Sequence, residues 1–243
     1  MNSLNQELFV KAALAAVLVL NVAFWFSIRD IRSHWNNVPP VPDEKYASAY
    51  GLGDKSFAYR LNGIMIQNLG DTGGRVTSLK DYDYGKLAKW FFLQDHLDKK
   101  SNFIPYLAGY YFSGVQEPEK FRPVLDYLEQ VGNRDYGQKW RWLAQAVFIA
   151  RYKLNDLDKA LSLANVMAKI NNDNMPSWAR QMPAFIMSAK GEKDAAYALM
   201  LEILKTSADK MHPNEVNAMR AYICEQILEM EEAKQDPICE GIF

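Results

Sequence analysis

Asn155-Asp156-Leu157-Asp158-Lys159-Ala160 and Gly191-Glu192-Lys193-Asp194-Ala195-Ala196 stand 36 residues apart and read alike: a turn residue, a run of charges, then a small alanine where a helix opens. Ahead of the first lies Gly137 to Lys153, whose Trp140, Leu143, Ala144, Val147 and Phe148 fall at the apolar positions of an amphipathic helix. Behind it, Asp156 to Ile170 continues with Ala160, Leu161, Ala164 and Met167, and Pro176 to Lys190 with Lys193 to Thr206 makes the next pair. Val115 to Phe121 is a looser copy about 39 residues upstream. Helix pairs recurring every 34 to 40 residues or so are the mark of stacked hairpins. A small alanine at the hairpin turn lets paired helices approach closely, while larger side chains fill the space between hairpins.

The alternation extends outward in both directions. Gly85 to Leu97 carries Leu87, Trp90, Phe91 and Leu97, and Ser101-Asn102 precede a helix through Ile104, Leu107, Ala108, Tyr111 and Phe112 that ends near Gly114. Pro118 sits in the first turn of the next helix, where its missing N–H costs nothing, followed by Phe121, Val124, Leu125 and Leu128. Pro213 opens a last helix through Met219, Ile223, Ile227 and Met230. Toward the N-terminus, Asp54 is an N-cap for a helix reaching Leu69, and the spacing predicts a buried face of Phe57, Leu61, Ile64, Met65 and Leu69. The glycines of Gly70-Asp71-Thr72-Gly73-Gly74 follow a helix, not a strand, and lack the lysine of a phosphate loop, so they read as a helix end and turn.

Over roughly residues 101 to 207 the chain resembles the tetratricopeptide-repeat superfamily, on the turn-to-alanine feature at Asn155/Ala160 and Gly191/Ala196. The family's small residue in the first helix is matched by Ala184 and replaced by Phe148 one hairpin earlier. Its Trp and Tyr positions are not well kept, and Pro183 interrupts a first helix. The layout is also similar to bacterial membrane-anchored proteins bearing such domains. The resemblance implies an all-α fold, an N-terminal transmembrane helix followed by a tetratricopeptide-like right-handed α-hairpin solenoid, and it implies no activity.

The membrane helix is read from Ala12 to Ile28, AALAAVLVLNVAFWFSI, which is 17 residues without a charge. Leu8, Phe9 and Val10 across Lys11 bring it to the 20 or so that span a bilayer core. Lys11 can snorkel at one boundary and Trp25 favours the headgroup layer at the other. The bulky Phe24-Trp25-Phe26 argues against signal cleavage, which prefers small residues. The expected organisation is an N-terminal tail in 1–11, an anchor over 8–28, a Pro-rich linker over 29–50, a helical domain over 51–232 and a C-terminal tail over 233–243. Pro39, Pro40 and Pro42 favour an extended polyproline spacer. Lys11 on one side against Arg29 and Arg32 on the other leaves the positive-inside count undecided. The short leading tail favours a single-pass protein whose helical domain is periplasmic or otherwise extracytoplasmic.

A net charge of −1, from 28 basic and 29 acidic residues, offers no surplus to neutralise a phosphate backbone, so no nucleic-acid partner is expected. His34, His96 and His212 have no partner at ligand spacing, and no catalytic signature occurs, so no catalytic residue, metal or cofactor is assigned. Cys224 and Cys239 lack zinc spacing; they either pair, closing a loop near 15 residues worth roughly 3 kcal/mol, or remain thiols on a helix and in a loose tail. The first helices of the hairpins carry Tyr106, Tyr110, Trp142, Arg151, Trp178 and Arg180, residue types that dominate binding interfaces, and Trp140, which the pattern buries. These residues point to a membrane-tethered scaffold or assembly factor of a cell-envelope complex that binds other proteins or peptides and holds the bilayer through 8–28. The competing readings are an anchor subunit of a larger membrane machine and an envelope enzyme on a helical frame.

Overall fold

Three aspartates start three of the helices in the way short acceptors are expected to. Asp54, Asp83 and Asp156 each accept a hydrogen bond from the backbone N–H three residues on, satisfying a donor the first helical turn leaves without a partner. The computed structural model describes residues 3–29, 38–72, 75–172 and 174–242. The chain divides into two units, Met1–Asn36 and Asn37–Phe243.

The first unit is helix α1, Ser3–Ile28, of which Gln6–Ile28 is long and apolar enough to cross a membrane. Its 23 residues rise about 35 Å, more than a hydrocarbon core near 30 Å. Within the helix Ser27 Oγ donates to the Ala23 carbonyl at 2.9 Å, and Lys11 pairs with Glu7 at 2.7 Å. The Arg29 guanidinium lies 4.9 Å from the Phe26 ring centre.

The second unit is all-helical apart from a two-residue antiparallel bridge, β1 Asp71–Thr72 with β2 Arg75–Val76. Its longer helices are α2 Lys55–Gln67, α3 Tyr84–Leu97, α5 Arg122–Gly132, α6 Trp140–Tyr152, α7 Leu157–Ala168, α8 Ser177–Lys190, α9 Lys193–Ser207 and α10 Pro213–Tyr222. Between α3 and α5 runs a composite helix: a single α-turn, α4 Phe103–Tyr106, a π-turn Leu107–Tyr111 and a 3-10 turn Phe112–Gly114. A second π-turn, Ile223–Ile227, follows α10, and a short α11, Met230–Gln235, comes after it. From α5 to α9 each helix packs against the next, and α3 packs on α2 and α5. Ala160 and Ala196 are fully buried at the hairpin turns. Gly132 is required for the α5–α6 crossing, since a Cβ there would fall 2.4 Å from the backbone nitrogen of Leu143.

Five expectations are corrected. The buried face of α2 is Ala58, Tyr59, Asn62, Gly63 and Ile66, while Phe57, Leu61 and Ile64 are exposed. Small side chains let α2 seat closely: a Cβ on Gly63 would touch the Phe103 ring at 3.2 Å. The proline stretch is no free spacer from Val38 onward. Val38 is fully buried, and the Trp90 indole donates to the Pro39 carbonyl at 2.9 Å, because a buried indole N–H needs an acceptor and proline supplies one without donating. Pro183 does not interrupt its helix; α8 runs through it, with the ring buried. Met230 is exposed and begins α11, which Glu229 and Glu232 close with reciprocal caps.

The fifth concerns the C-terminal segment, of which residues 233–242 fold back onto the end of the domain. Cys224 and Cys239 form a disulfide with Cα atoms 5.8 Å apart, Arg220 Nε donates to the Ile238 carbonyl at 2.8 Å, and Tyr197 donates to Asp236. The histidines take local roles: His212 Nδ1 accepts from Asn214 N–H at 3.2 Å, His96 lies 3.6 Å from Glu44, and His34 falls outside the described residues.

Candidate interaction surface

The composite helix 103–114 and α6 lie side by side, tied by the two lysines that bound α6, Lys139, which is buried, and Lys153, which is half-buried. Lys139 donates to the Ser101 carbonyl at 2.7 Å, and Lys153 donates to the Ser113 carbonyl, so the two ends of one helix are tied to the two ends of the other. Burial disfavours both ammonium groups and holds them below the ordinary lysine range, with the Arg134 guanidinium adding to the effect at Lys139. Gln145 from α6 reaches the π-turn between these ties. The Gly109 carbonyl accepts from Gln145 Nε2 at 2.9 Å and from Ser113 Oγ at 2.6 Å. Gly109 makes that approach possible, since a Cβ there would lie 3.1 Å from Gln145 Cγ. The widened π-turn thus carries a carbonyl that a neighbouring side chain satisfies, a setting in which such turns are often functional.

Arginine and acid fix the preceding loop. Arg134 grips the buried Asp95 with both terminal nitrogens, and burial pushes the nearby Tyr127 hydroxyl well up. The Trp142 indole donates to Asn102 Oδ1 at 2.8 Å, anchoring the start of the composite helix to the first turn of α6.

On this frame stand exposed rings. Tyr106 and Tyr110, one turn apart, have ring centres 5.3 Å apart, and Tyr110 lies 6.3 Å edge-on to Trp142. Tyr106 is 54% exposed and Tyr110 56%, whereas Trp142 is only 8% exposed. Trp142 therefore backs the tyrosines from the core, correcting the expectation that it presents itself to a partner. Further along α6, exposed Phe148 and Tyr152 pair at 4.9 Å, and the Arg151 guanidinium lies 4.7 Å from the Tyr152 ring centre. On α8, exposed Trp178 meets the buried Trp140 edge-on at 5.6 Å, and Arg180 is exposed two residues on.

So Tyr106, Tyr110 and Trp142 come together, Arg151 sits with Tyr152 on the same helix as Trp142, and Trp178 with Arg180 stands on a separate helix. The residues the sequence reading missed are Phe148, which it assigned to the core, and Tyr152. The i, i+4 spacing of Phe148 and Tyr152 was the available signal. Among the described residues no group of three His, Cys, Asp or Glu side chains is placed to hold a metal ion. Compared with known protein families, with characterised proteins and with solved structures, the chain matches none.

Proposed function

We propose that this chain is a membrane-tethered protein–protein interaction scaffold, an assembly factor of a cell-envelope complex whose helix pairs form a tetratricopeptide-like right-handed solenoid. The observation that carries the reading is two exposed ring pairs, Tyr106 with Tyr110 and Phe148 with Tyr152, the second beside the half-buried Arg151, on two adjoining first helices. Exposed apolar rings with polar tips lose little side-chain entropy on binding and are the residue types on which interface energy concentrates. The helices that carry these rings are joined by lysine-to-carbonyl ties and so are held in shape before a partner arrives. Their partner is a peptide or helix with an apolar face and acceptors for the tyrosine hydroxyls and the Arg151 guanidinium.

The helical domain stands on the oxidising, extracytoplasmic side of the membrane. The support is the Cys224–Cys239 disulfide, since such bonds persist in oxidising compartments and are rare where thiols are kept reduced. Capture from detergent extracts tests the function. The wild-type chain retains one or two proteins that Tyr106→Ser with Tyr110→Ser loses; retention of the same proteins by both refutes these rings as the binding face. Thiol labelling in intact cells after mild reduction tests the side: Cys224 and Cys239 react with an impermeant reagent if the domain is outside, and only after permeabilisation if it is not.

A further inference from the structure

The first helices of the hairpins are charged with one sign only. The composite helix 103–114, α6 and α8 contain no acidic residue, while Arg141 and Arg151 stand on α6 and Arg180 on α8. None of these three arginines forms an ion pair among the described residues. Lys190, the other cation of α8, is engaged by Asp158 at 2.8 Å and Glu192 at 2.9 Å. The segments leading into these helices are balanced, with Asp98, Asp135 and Asp173 against Lys99, Lys100 and Lys139, and with Arg134 holding Asp95. The segments leaving them are balanced too, with Glu117, Glu119 and Asp156 against Lys120, Arg122 and Lys153. The three arginines are therefore a positive excess on this layer, in a chain whose net charge is −1.

Rings, in place of acids, hold two of these cations. The Arg151 guanidinium lies 4.7 Å from the Tyr152 ring centre, and that of Arg141 lies 5.6 Å from the ring of the buried Trp140. A guanidinium resting on a ring keeps its charge and a free fork of N–H donors, and that fork matches a carboxylate in two parallel hydrogen bonds. Arg141, Phe148 and Tyr152 are all exposed and fall at i, i+7 and i+11, one outward stripe of α6, with Arg151 beside its far end. The ten residues from Arg141 to Arg151 rise about 15 Å. A helix made for a bilayer keeps its cations and its apolar groups on separate faces, because headgroups and acyl chains lie at different depths. Here cation and ring follow one another along a single stripe. A nucleic-acid backbone is held by many more cations than these. A polypeptide with acids about four or five residues apart and an apolar side chain between them spans the same 15 Å or so when extended.

We propose that the outward stripe of α6 recognises an acidic polypeptide segment, with side-chain carboxylates paired to Arg141 and Arg151 and an apolar side chain between them against Phe148 and Tyr152. The inference names the partner class of the interaction scaffold and rests on that reading. It is tested on the full chain in nanodiscs of zwitterionic phospholipid, by fluorescence anisotropy of a labelled copolymer of glutamate and tyrosine. Arg141→Glu with Arg151→Glu is expected to weaken binding about tenfold or more. Lys205→Glu with Lys210→Glu, an equal change of charge at exposed positions in and just after α9, is expected to leave it unchanged. The thermal midpoint checks that the reversed chain is folded, and Arg141→Gln with Arg151→Gln gives the same comparison if it is not. Equal binding by both reversed chains overturns the proposal, as does equally tight binding of a lysine–tyrosine copolymer, of a single-stranded oligonucleotide or of anionic phospholipid vesicles. Capture from detergent extracts separates this inference from the scaffold reading. Loss of the captured proteins by the arginine variant as well as by Tyr106→Ser with Tyr110→Ser is the expected result. Retention by the arginine variant alone refutes the acidic partner and leaves the scaffold, and retention by both refutes the binding face and the acidic partner with it.

Discussion

The helical domain has two cores of different make. From Val38 to Ile186 the interior is interlocked aromatic rings: Phe91 lies 5.5 Å from Phe112 and 5.4 Å from Tyr127, with Trp90, Phe121 and Trp140 buried around them. From α8 onward the interior is Ala184, Ala196, Met200, Met219, Ile223 and Ile227, and the Phe185–Tyr222 pair is only partly buried. Large rings remove the most apolar area from water per residue ordered. The thinner end adds connections of another kind: the Cys224–Cys239 bond, the hold of Arg220 on the Ile238 and Glu240 carbonyls, and the Tyr197–Asp236 contact. Where area is short, covalent and hydrogen-bonded staples take its place, as they do in small domains.

Removing a ring should show the first half of this contrast at full size. Phe91→Ala is expected to cost about 3–5 kcal/mol, read from the denaturant midpoint, because it leaves a cavity between Phe112 and Tyr127 that close-packed neighbours cannot fill. Cutting the staple should show the second half. Cys224→Ser with Cys239→Ser, opening a separation of 15 residues, is expected to cost roughly 3 kcal/mol. In hydrogen exchange the loss should be confined to α9 through α11, with α3 to α7 unchanged; equal loss across both regions would mean the two cores unfold as one.

Asp156, which starts α7 in the aromatic half, offers a smaller and pH-dependent effect. Its carboxylate is held below the usual range by the Lys159 backbone N–H and then by Arg122, so its folded-state pKa is depressed. The stability it contributes is present above the unfolded value near 4 and is lost as pH falls through the folded value. Asp156→Ala is expected to cost about 1 kcal/mol at neutral pH, and Asp156→Asn to keep most of the cap while flattening the acid limb of a stability–pH curve. The smallest effect on stability belongs to the exposed rings. Tyr106→Ser with Tyr110→Ser should shift the thermal midpoint by no more than about 0.5 kcal/mol corresponds to, though partner capture is lost. A large shift would place those rings in the core and remove them as a binding surface.

Local signals in the chain were legible in advance. The aspartate that starts α2, the turn and alanine opening α7 and α9, and the apolar run of α1 are short-range patterns, and each depends on residues a few positions apart. The outward face of α2, the inward turn of Trp142, the outward turn of Phe148 and the docked tail were not legible. An amphipathic period states that a helix has an apolar side, and it does not state whether Phe103 and the Gln94 amide will claim the small-residue side first. Trp142 follows the same logic: its indole turns inward because Asn102, 40 residues away, offers the acceptor.

The sequence by itself determined that most of this protein is paired helices behind one long apolar helix, since periodicity, caps and apolar length act within a few turns of the chain. Which ring is core and which is surface, and whether the two cysteines meet, was decided only when helices far apart in sequence competed for the same buried space. Close packing admits one winner per site, and that outcome is a property of the assembled neighbours, not of any segment read alone.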